Sequence, residues 1–336
     1  MSEYALLLRR VLAGEDLSET EAAQMIGELM DGSLSPVQAA GLLSALAAKG
    51  ERSAEIIGAA RAMRERSLHV EHKLPMVIDV VGTGGDGANT INISTLTALV
   101  VAAAGVPVAK HGNRAASSAC GSADVLEAAG ATIDLDPVVA ARMLDETRFT
   151  FMFAPRYHPA MKNVAPVRRE LGVRTIFNVL GPLTNPARAT HQIVGVARES
   201  HLELLGEVLR ALGLKGGAVV HAASGIDEIA GEGPTAVYAF DETSARRFVF
   251  DPESYGIRAP LETIRGGSVE ACLEAFERIL EGERSQRSDV VALNAGFALS
   301  VCGHVASVKD GVALAREILS SGKAATVFER VKTYRN

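Results

Sequence analysis

The chain has 336 residues, 48% apolar and 22% charged, enough to bury a large core and to divide into two domains. Its net charge of −6 argues against a nucleic-acid binder, which carries a basic face, and the opening residues, with Glu3, Arg9 and Arg10, lack the apolar stretch of a secretion signal. No uncharged run reaches membrane-spanning length, and Cys120, Cys272 and Cys302 follow no Cys-x-x-Cys or Cys/His ligand spacing, so we expect a cytoplasmic globular protein whose thiols are buried or incidental.

In chain order, the N-terminal part reads as short amphipathic helices. Tyr4, Leu7, Leu8, Val11 and Leu12 fall at helical spacing. Ser18-Glu19-Thr20-Glu21 has capping-box form and opens a second stripe, Ala22, Met25, Ile26, Leu29 and Met30, ending near Gly32. Ser35-Pro36-Val37-Gln38 starts a third helix with Gly50 as its stop, and a fourth begins near Ser53. From Pro75 the pattern changes to valine-rich strands alternating with helices. Strands are predicted at Val77–Val81, Val106–Ala109, Phe149–Phe153, Gln192–Val196, Ala218–His221, Val237–Phe240 and Arg247–Phe250, with helices ending at Gly105, Gly130 and Gly213. Val164–Gly172 reads as a helix that packs back on the N-terminal ones.

Three loops at predicted strand ends carry the chemistry. After Val77–Val81 comes Gly82-Thr83-Gly84-Gly85-Asp86-Gly87, whose glycines permit positive φ and leave backbone N–H groups bare, an anion nest. It delivers Asn92, Ser94 and Thr95 to the start of an apolar helix, Leu96 to Ala104. The spacing matches neither a Walker A loop nor a dinucleotide fingerprint, and taken alone the loop is equally consistent with a tight turn. The second loop, Lys110 to Asp124, places two fixed cations and several hydroxyls between Val106–Ala109 and a helix at Val125–Ala129. It can neutralise a diphosphate, and standing alone it would read as a solvated basic loop. The third, Ser224-Gly225-Ile226-Asp227-Glu228, sets two carboxylates side by side. Beside two phosphate-type loops, this pair points to Mg²⁺ rather than to a solvated turn.

These segments, together with His158-Pro159-Ala160-Met161-Lys162, Arg168-Arg169-Glu170-Leu171-Gly172 and Asn178 to Pro186, resemble the anthranilate phosphoribosyltransferases of tryptophan biosynthesis over nearly the whole chain. Tyr157 and Asn163 stand where that family often has histidine, and Ala116 and Ala119 replace bulkier residues. The resemblance implies a small all-helical N-terminal domain, residues 1–72 joined by 163–186. It also implies a larger α/β domain, 73–162 and 187–336, with a central, mostly parallel sheet flanked by helices. A homodimer through the helical domain is implied too, with no nucleic-acid or membrane partner. The implied reaction transfers phosphoribose from phosphoribosyl pyrophosphate to the amine of anthranilate with Mg²⁺, two ions per site. Carried over by position, Gly82, Gly85, Asp86, Thr90, Asn92, Ile93, Ser94, Thr95, Lys110, His111, Gly112, Asn113, Arg114, Ala115, Ala116, Ser117, Ser118 and Ser122 would hold phosphoribosyl pyrophosphate. Ser94, Asp227 and Glu228 would serve the metal, and Gly82, Asn113 and Arg168, with His111 nearby, would contact anthranilate.

The residues fit such a reaction. An aromatic amine is already neutral at pH 7, so no general base is required, and positioning and charge stabilisation remain as the tasks. Arg168 can fork onto a carboxylate; without the resemblance, an ion pair with Glu170 or Glu199 would be the simpler reading. Two rivals stay open at this point: a pyrimidine nucleoside phosphorylase, disfavoured by Asp227-Glu228, and a non-catalytic nucleic-acid-binding relative, disfavoured by the net charge.

Overall fold

The protein is described here by a computed structural model covering residues 2–115 and 119–336. Four helices come first: α1 (Glu3–Leu12), α2 (Glu19–Met30), α3 (Pro36–Lys49) and α4 (Ser53–Glu65). Ser18 and Glu21 form a reciprocal capping box at the start of α2, Ser35 and Gln38 do the same for α3, and Pro36 occupies the first helical position. Both helices are followed by glycines at positive φ, Gly32 and Gly50. Helices α2 and α4 cross so closely that a Cβ on Gly58 would strike the Glu19 carbonyl.

One buried charge ties this bundle together. The Glu55 carboxylate, wholly buried, accepts the Leu17 N–H at 3.0 Å, the Arg52 N–H at 2.9 Å and the Lys49 ammonium at 2.9 Å. It thereby holds the α1–α2 connection against the start of α4.

The rest of the chain builds one seven-stranded sheet. Its strands are β1 (Ile78–Gly82), β2 (Val108–Gly112), β3 (Phe149–Phe153), β4 (His191–Gly195), β5 (Gly216–Ala222), β6 (Thr235–Asp241) and β7 (Ala245–Phe250), in spatial order β3-β2-β1-β4-β5-β6-β7. The first five run parallel and β6 and β7 close the edge antiparallel. The connecting helices are α5 (Ile93–Ala103), α6 (Ser122–Ala128), α7 (Pro137–Thr147), α8 (Ala154–Tyr157), α9 (Ala165–Leu171), α10 (Phe177–Leu183) and α11 (His201–Ala211). Then α12 (Val269–Leu280), α13 (Gln286–Val301), α14 (Val308–Ser320) and α15 (Lys323–Val331) complete the chain. Helix α5 is buried along nearly its whole length, with Leu96, Leu99, Val100 and Val101 inaccessible, each such side chain contributing about 1.5–3 kcal/mol.

Most strand ends differ from the sequence reading by one or two residues, and two boundary differences bear on the site. Strand β2 starts at Val108 and continues to Gly112, because it pairs with β3 residue by residue from Val108↔Phe149 to Gly112↔Phe153. Lys110 and His111 are therefore sheet residues, not members of a solvated basic loop. Helix α5 starts at Ile93 rather than Leu96, which places Ser94 and Thr95 inside its first turn.

Two hydrophobic cores result. One fills the face of the sheet covered by α5, α13 and the C-terminal helices. The other joins α1–α4 to Val164, Val167, Phe177 and Leu180 of the returning segment, and continues into α11 and the opposite sheet face through Val194, Val219 and Phe240. The cores thus follow the faces of the sheet more than the order of the chain. Arg64, half-buried at the end of α4, donates to the Leu183 carbonyl at 2.7 Å and so fastens the helical bundle to α10. No helix among the described residues is long and apolar enough to cross a membrane.

Glu55→Ala leaves the Lys49 ammonium with Asp16 and the Gly50 carbonyl and strands two N–H groups. A loss of about 3 kcal/mol is expected from the urea unfolding midpoint. A loss below about 1 kcal/mol would show that the network is not what binds α4 to the α1–α2 connection.

Candidate active site

The site is built where β1, β2 and β5 release the chain at their carboxyl ends. Gly82 and Gly195 lie opposite each other in the β1–β4 register. The Asp227–Glu228 turn crosses over both: a Cβ on Gly82 would meet the Asp227 carboxylate, and one on Gly195 would overlap the Asp227 carbonyl. This bare crossing brings Asp227 to the glycine loop, where it accepts the Gly84 N–H at 2.7 Å. Gly84, Gly85 and Gly87 all have positive φ. Among the described residues the N–H groups of Gly85, Asp86 and Gly87 have no protein acceptor, so they remain available to an anion.

The loop is tied down on its far side. Asn89, itself at φ 51°, accepts the Ala119 N–H at 3.1 Å, and Asn92 donates to the Cys120 carbonyl at 3.2 Å, joining the glycine loop to the segment after β2. Asp124 organises that segment: its carboxylate accepts the Ala115 and Gly121 N–H groups, both at 2.9 Å. Gly121 passes so near the Ala115 backbone that no side chain would fit.

The electrostatics are unusual for a sheet interior. Lys110 is buried in β2 and its ammonium donates to the Val80 carbonyl at 2.7 Å and the Ser94 hydroxyl at 3.2 Å. Burial lowers its pKa, opposed by the charges of Asp79, Glu228 and Asp227. Asp79, inaccessible in β1, is pushed up to about 6 by burial despite Lys110 and the bonds from Asn185 and the His111 N–H. Asp227 and Glu228 are half-buried at the cleft floor. Burial raises Asp227 to about 6, with repulsion from Asp86 adding to it, and raises Glu228 to about 8, with repulsion from Asp227 adding to it. The Ser94 N–H is close enough to Glu228 to oppose that rise, and Ser94, Asp227 and Glu228 all line the same cleft. The mutual repulsion of the acids is the condition a cation would relieve, and the residues therefore fit a divalent ion. No group of three or more His, Cys, Asp or Glu among the described residues could hold a metal. A site of this kind leaves positions to be filled by water and phosphate oxygens.

Gly82, Gly85, Asp86, Thr90, Asn92 to Thr95, Lys110 to Ala115, Ser122, Asp227 and Glu228 line one cleft of about 570 Å³. Ala116, Ser117 and Ser118 lie outside the described residues. Three placements were not anticipated. Arg114 does not point a free charge into the cleft; it pairs with Asp124 at 3.1 Å and Glu127 at 2.7 Å. His111 is buried, with Nδ1 at 3.1 Å from the Gly181 carbonyl and Nε2 without a partner among the described residues, and burial lowers its pKa to about 4. It is thus a neutral imidazole at pH 7. Arg168 is not among the lining residues; it stacks on Phe177 at 5.6 Å, and the ion pair with Glu199 does not form, since Glu199 pairs with Arg247. The sequence reading missed Asn89, Arg174 and Asn178, which do line the cleft. Asn178 lay inside a segment that had been singled out, but no spacing rule marked Arg174.

With the geometry in place, comparison with known proteins defines the class. The family model described as "Glycosyl transferase family, a/b domain" matches residues 74–325, and the one described as "Glycosyl transferase family, helical bundle domain" matches residues 6–67. Among the relatives, an anthranilate phosphoribosyltransferase of Symbiobacterium thermophilum is 49% identical over 98% of this chain and 96% of its own length. One from Thermomicrobium roseum is 48% identical over the same shares. Among solved structures, the anthranilate phosphoribosyltransferase of Thermus thermophilus superposes with a TM-score of 0.91 at 46% identity, covering 97% of this chain and 98% of that one. The Saccharomyces cerevisiae enzyme, in complex with PRPP and Mg, gives 0.90 at 26% identity, covering 99% and 98%. The chain belongs to the anthranilate phosphoribosyltransferase family and is an enzyme of the glycosyl transferase class.

Gly195→Ala should push the Asp227 turn away from β1 while leaving the apolar cores untouched. Turnover is expected to fall about a hundredfold, the scale of an ångström-sized misplacement, with a single cooperative melting transition retained. Unchanged turnover would mean that the turn need not sit where it does.

Proposed function

We propose that the protein transfers the 5-phosphoribosyl group of phosphoribosyl pyrophosphate to the amine of anthranilate, giving N-(5-phosphoribosyl)anthranilate and pyrophosphate, a step of L-tryptophan biosynthesis. The observation that carries this reading is the convergence of a bare glycine loop, a hydroxyl-bearing helix start and an acidic pair on one cleft. The yeast relative described with PRPP and Mg, and the same enzyme described with 4-fluoroanthranilate, support the substrates.

The reaction runs as a dissociative displacement in which the ribose becomes oxocarbenium-like before the amine attacks. Free N–H groups of Gly85 to Gly87 and the positive end of α5 meet the growing charge of the diphosphate. Held by Asp227, Glu228 and Ser94, two Mg²⁺ ions per site would offset that charge further. Lys110, fixed under Ser94, holds this residue at the cleft floor and offsets the acids above it. The segment from Gly112 to Ser122 takes the phosphoribosyl end, and Asn113 and Arg168, beside the neutral His111, orient the acceptor. No side chain acts as a general base, since the amine needs none. Arg168 stacks on Phe177 and would have to turn from that ring to meet the acceptor.

The same reading takes the enzyme to be a cytoplasmic homodimer that meets its partner through the helical domain, and it agrees with the exposed Leu6, Leu12 and Val37 on α1 and α3. Purified protein with phosphoribosyl pyrophosphate, anthranilate and Mg²⁺ should consume anthranilate fluorescence. The Asp227→Asn, Glu228→Gln double variant should lose Mg²⁺-dependent turnover with its melting curve intact. No signal from the wild-type protein would end this reading, and wild-type rates for the variant across a magnesium titration would end the metal role.

Arg168→Ala should raise the KM for anthranilate at least tenfold more than the KM for phosphoribosyl pyrophosphate, as expected on losing a charge-assisted pair. Equal changes in both would remove Arg168 from the acceptor side.

A further inference from the structure

Three cationic side chains, Lys110, Arg114 and Arg174, line the cleft among the described residues. Two are already engaged: Lys110 on the Val80 carbonyl and the Ser94 hydroxyl, Arg114 on Asp124 and Glu127. Arg174 is not. It lies half-buried on the short connection between α9 and α10, and among the described residues it forms neither an ion pair nor a hydrogen bond. Its position is nevertheless specific. The guanidinium Nη1 stands 2.8 Å from where a Cβ on Gly85 would lie, so the group rests against the bare backbone of the glycine loop. Gly85 has φ 76° and opens the run Gly85–Gly87, whose N–H groups have no protein acceptor among the described residues.

An unpaired guanidinium beside an anion nest is a two-part receptor for one anion. The nest supplies backbone donors, and the planar fork supplies charge and two parallel N–H groups. Arg174 belongs to the segment that packs with the N-terminal helices, whereas the nest belongs to the sheet, so the bound anion would be gripped from both sides of the cleft. Its guanidinium lies against Gly85 of the nest, which aims it at the diphosphate.

We propose that Arg174 is a positioning residue for the transfer, its guanidinium clamping the leaving diphosphate of phosphoribosyl pyrophosphate against the Gly84–Gly87 loop. This rests on the phosphoribosyl-transfer reading above. It predicts that Arg174 acts on the donor and on the product pyrophosphate, and leaves the acceptor alone.

The test compares wild type, Arg174→Gln and Arg174→Lys, each in the presence of Mg²⁺, by steady-state kinetics and by calorimetric titration with pyrophosphate alone. For Arg174→Gln the KM for phosphoribosyl pyrophosphate and the Kd for pyrophosphate should rise about tenfold or more, the scale of a lost charge-assisted hydrogen bond, with the anthranilate KM within about twofold of wild type. Arg174→Lys keeps the charge but not the fork and should fall between the two. An anthranilate KM that rises while pyrophosphate binding stays unchanged would put Arg174 on the acceptor and overturn the proposal. Unchanged values throughout would overturn it as well. Should Arg174→Gln fail to give a cooperative melting transition, Arg174→Lys decides: wild-type pyrophosphate affinity in that variant refutes the clamp. Because pyrophosphate binding is read without turnover, a wild-type protein that binds pyrophosphate but transfers nothing to anthranilate would count against the proposed function and not against the role of Arg174.

Discussion

The site depends on one steric constraint, the absence of side chains where two neighbouring strands end. Gly82 and Gly195 stand side by side in the parallel register, and the Asp227–Glu228 turn lies directly across them. Any side chain at either position would lift the turn off the sheet. Because it lies flat, Asp227 reaches the Gly84 N–H and Glu228 comes to the cleft that Ser94 lines. Two loops separated by well over a hundred residues in the chain thereby share one floor.

That floor carries more negative charge than a sheet edge would tolerate by itself. Burial raises the pKa values of Asp227 and Glu228, repulsion from Asp86 adds to both, and Asp79 is buried in β1. Lys110 is the compensating charge within the protein, pinned between the Val80 carbonyl and Ser94. A single buried ammonium does not balance four carboxyl groups. The remaining imbalance is the physical reason the cleft suits a cation together with an anion that brings its own oxygens. Arg114, by contrast, is spent on Asp124 and Glu127, where it shapes the loop rather than the cleft.

Much of the architecture could be read from local pattern. Valine-rich runs placed seven strands, and the glycines after α5, α6 and α11 marked helix ends that prove to have positive φ. Capping residues located the starts of α2 and α3 to the residue. What misled was the end of β2. Lys110 and His111 look like loop residues because they are polar, yet pairing with β3 draws them into the sheet, where backbone hydrogen bonds outweigh the cost of burying a charge that finds an acceptor. Arg114 was misjudged because the fold of its own loop turns it back onto Asp124 and Glu127 of α6, which composition does not show.

The amino-acid sequence by itself determined the elements, the glycine nest, the acidic pair and the family, because each is written in short segments whose chemistry is local. Only the tertiary structure decided which cations are free. Among the described residues Lys110 and Arg114 are occupied while Arg174 is not, and that distinction rests on how strands, helices and connections fold against one another. Charge is a property of a residue, but its availability is a property of its neighbours, and the neighbours are set by packing.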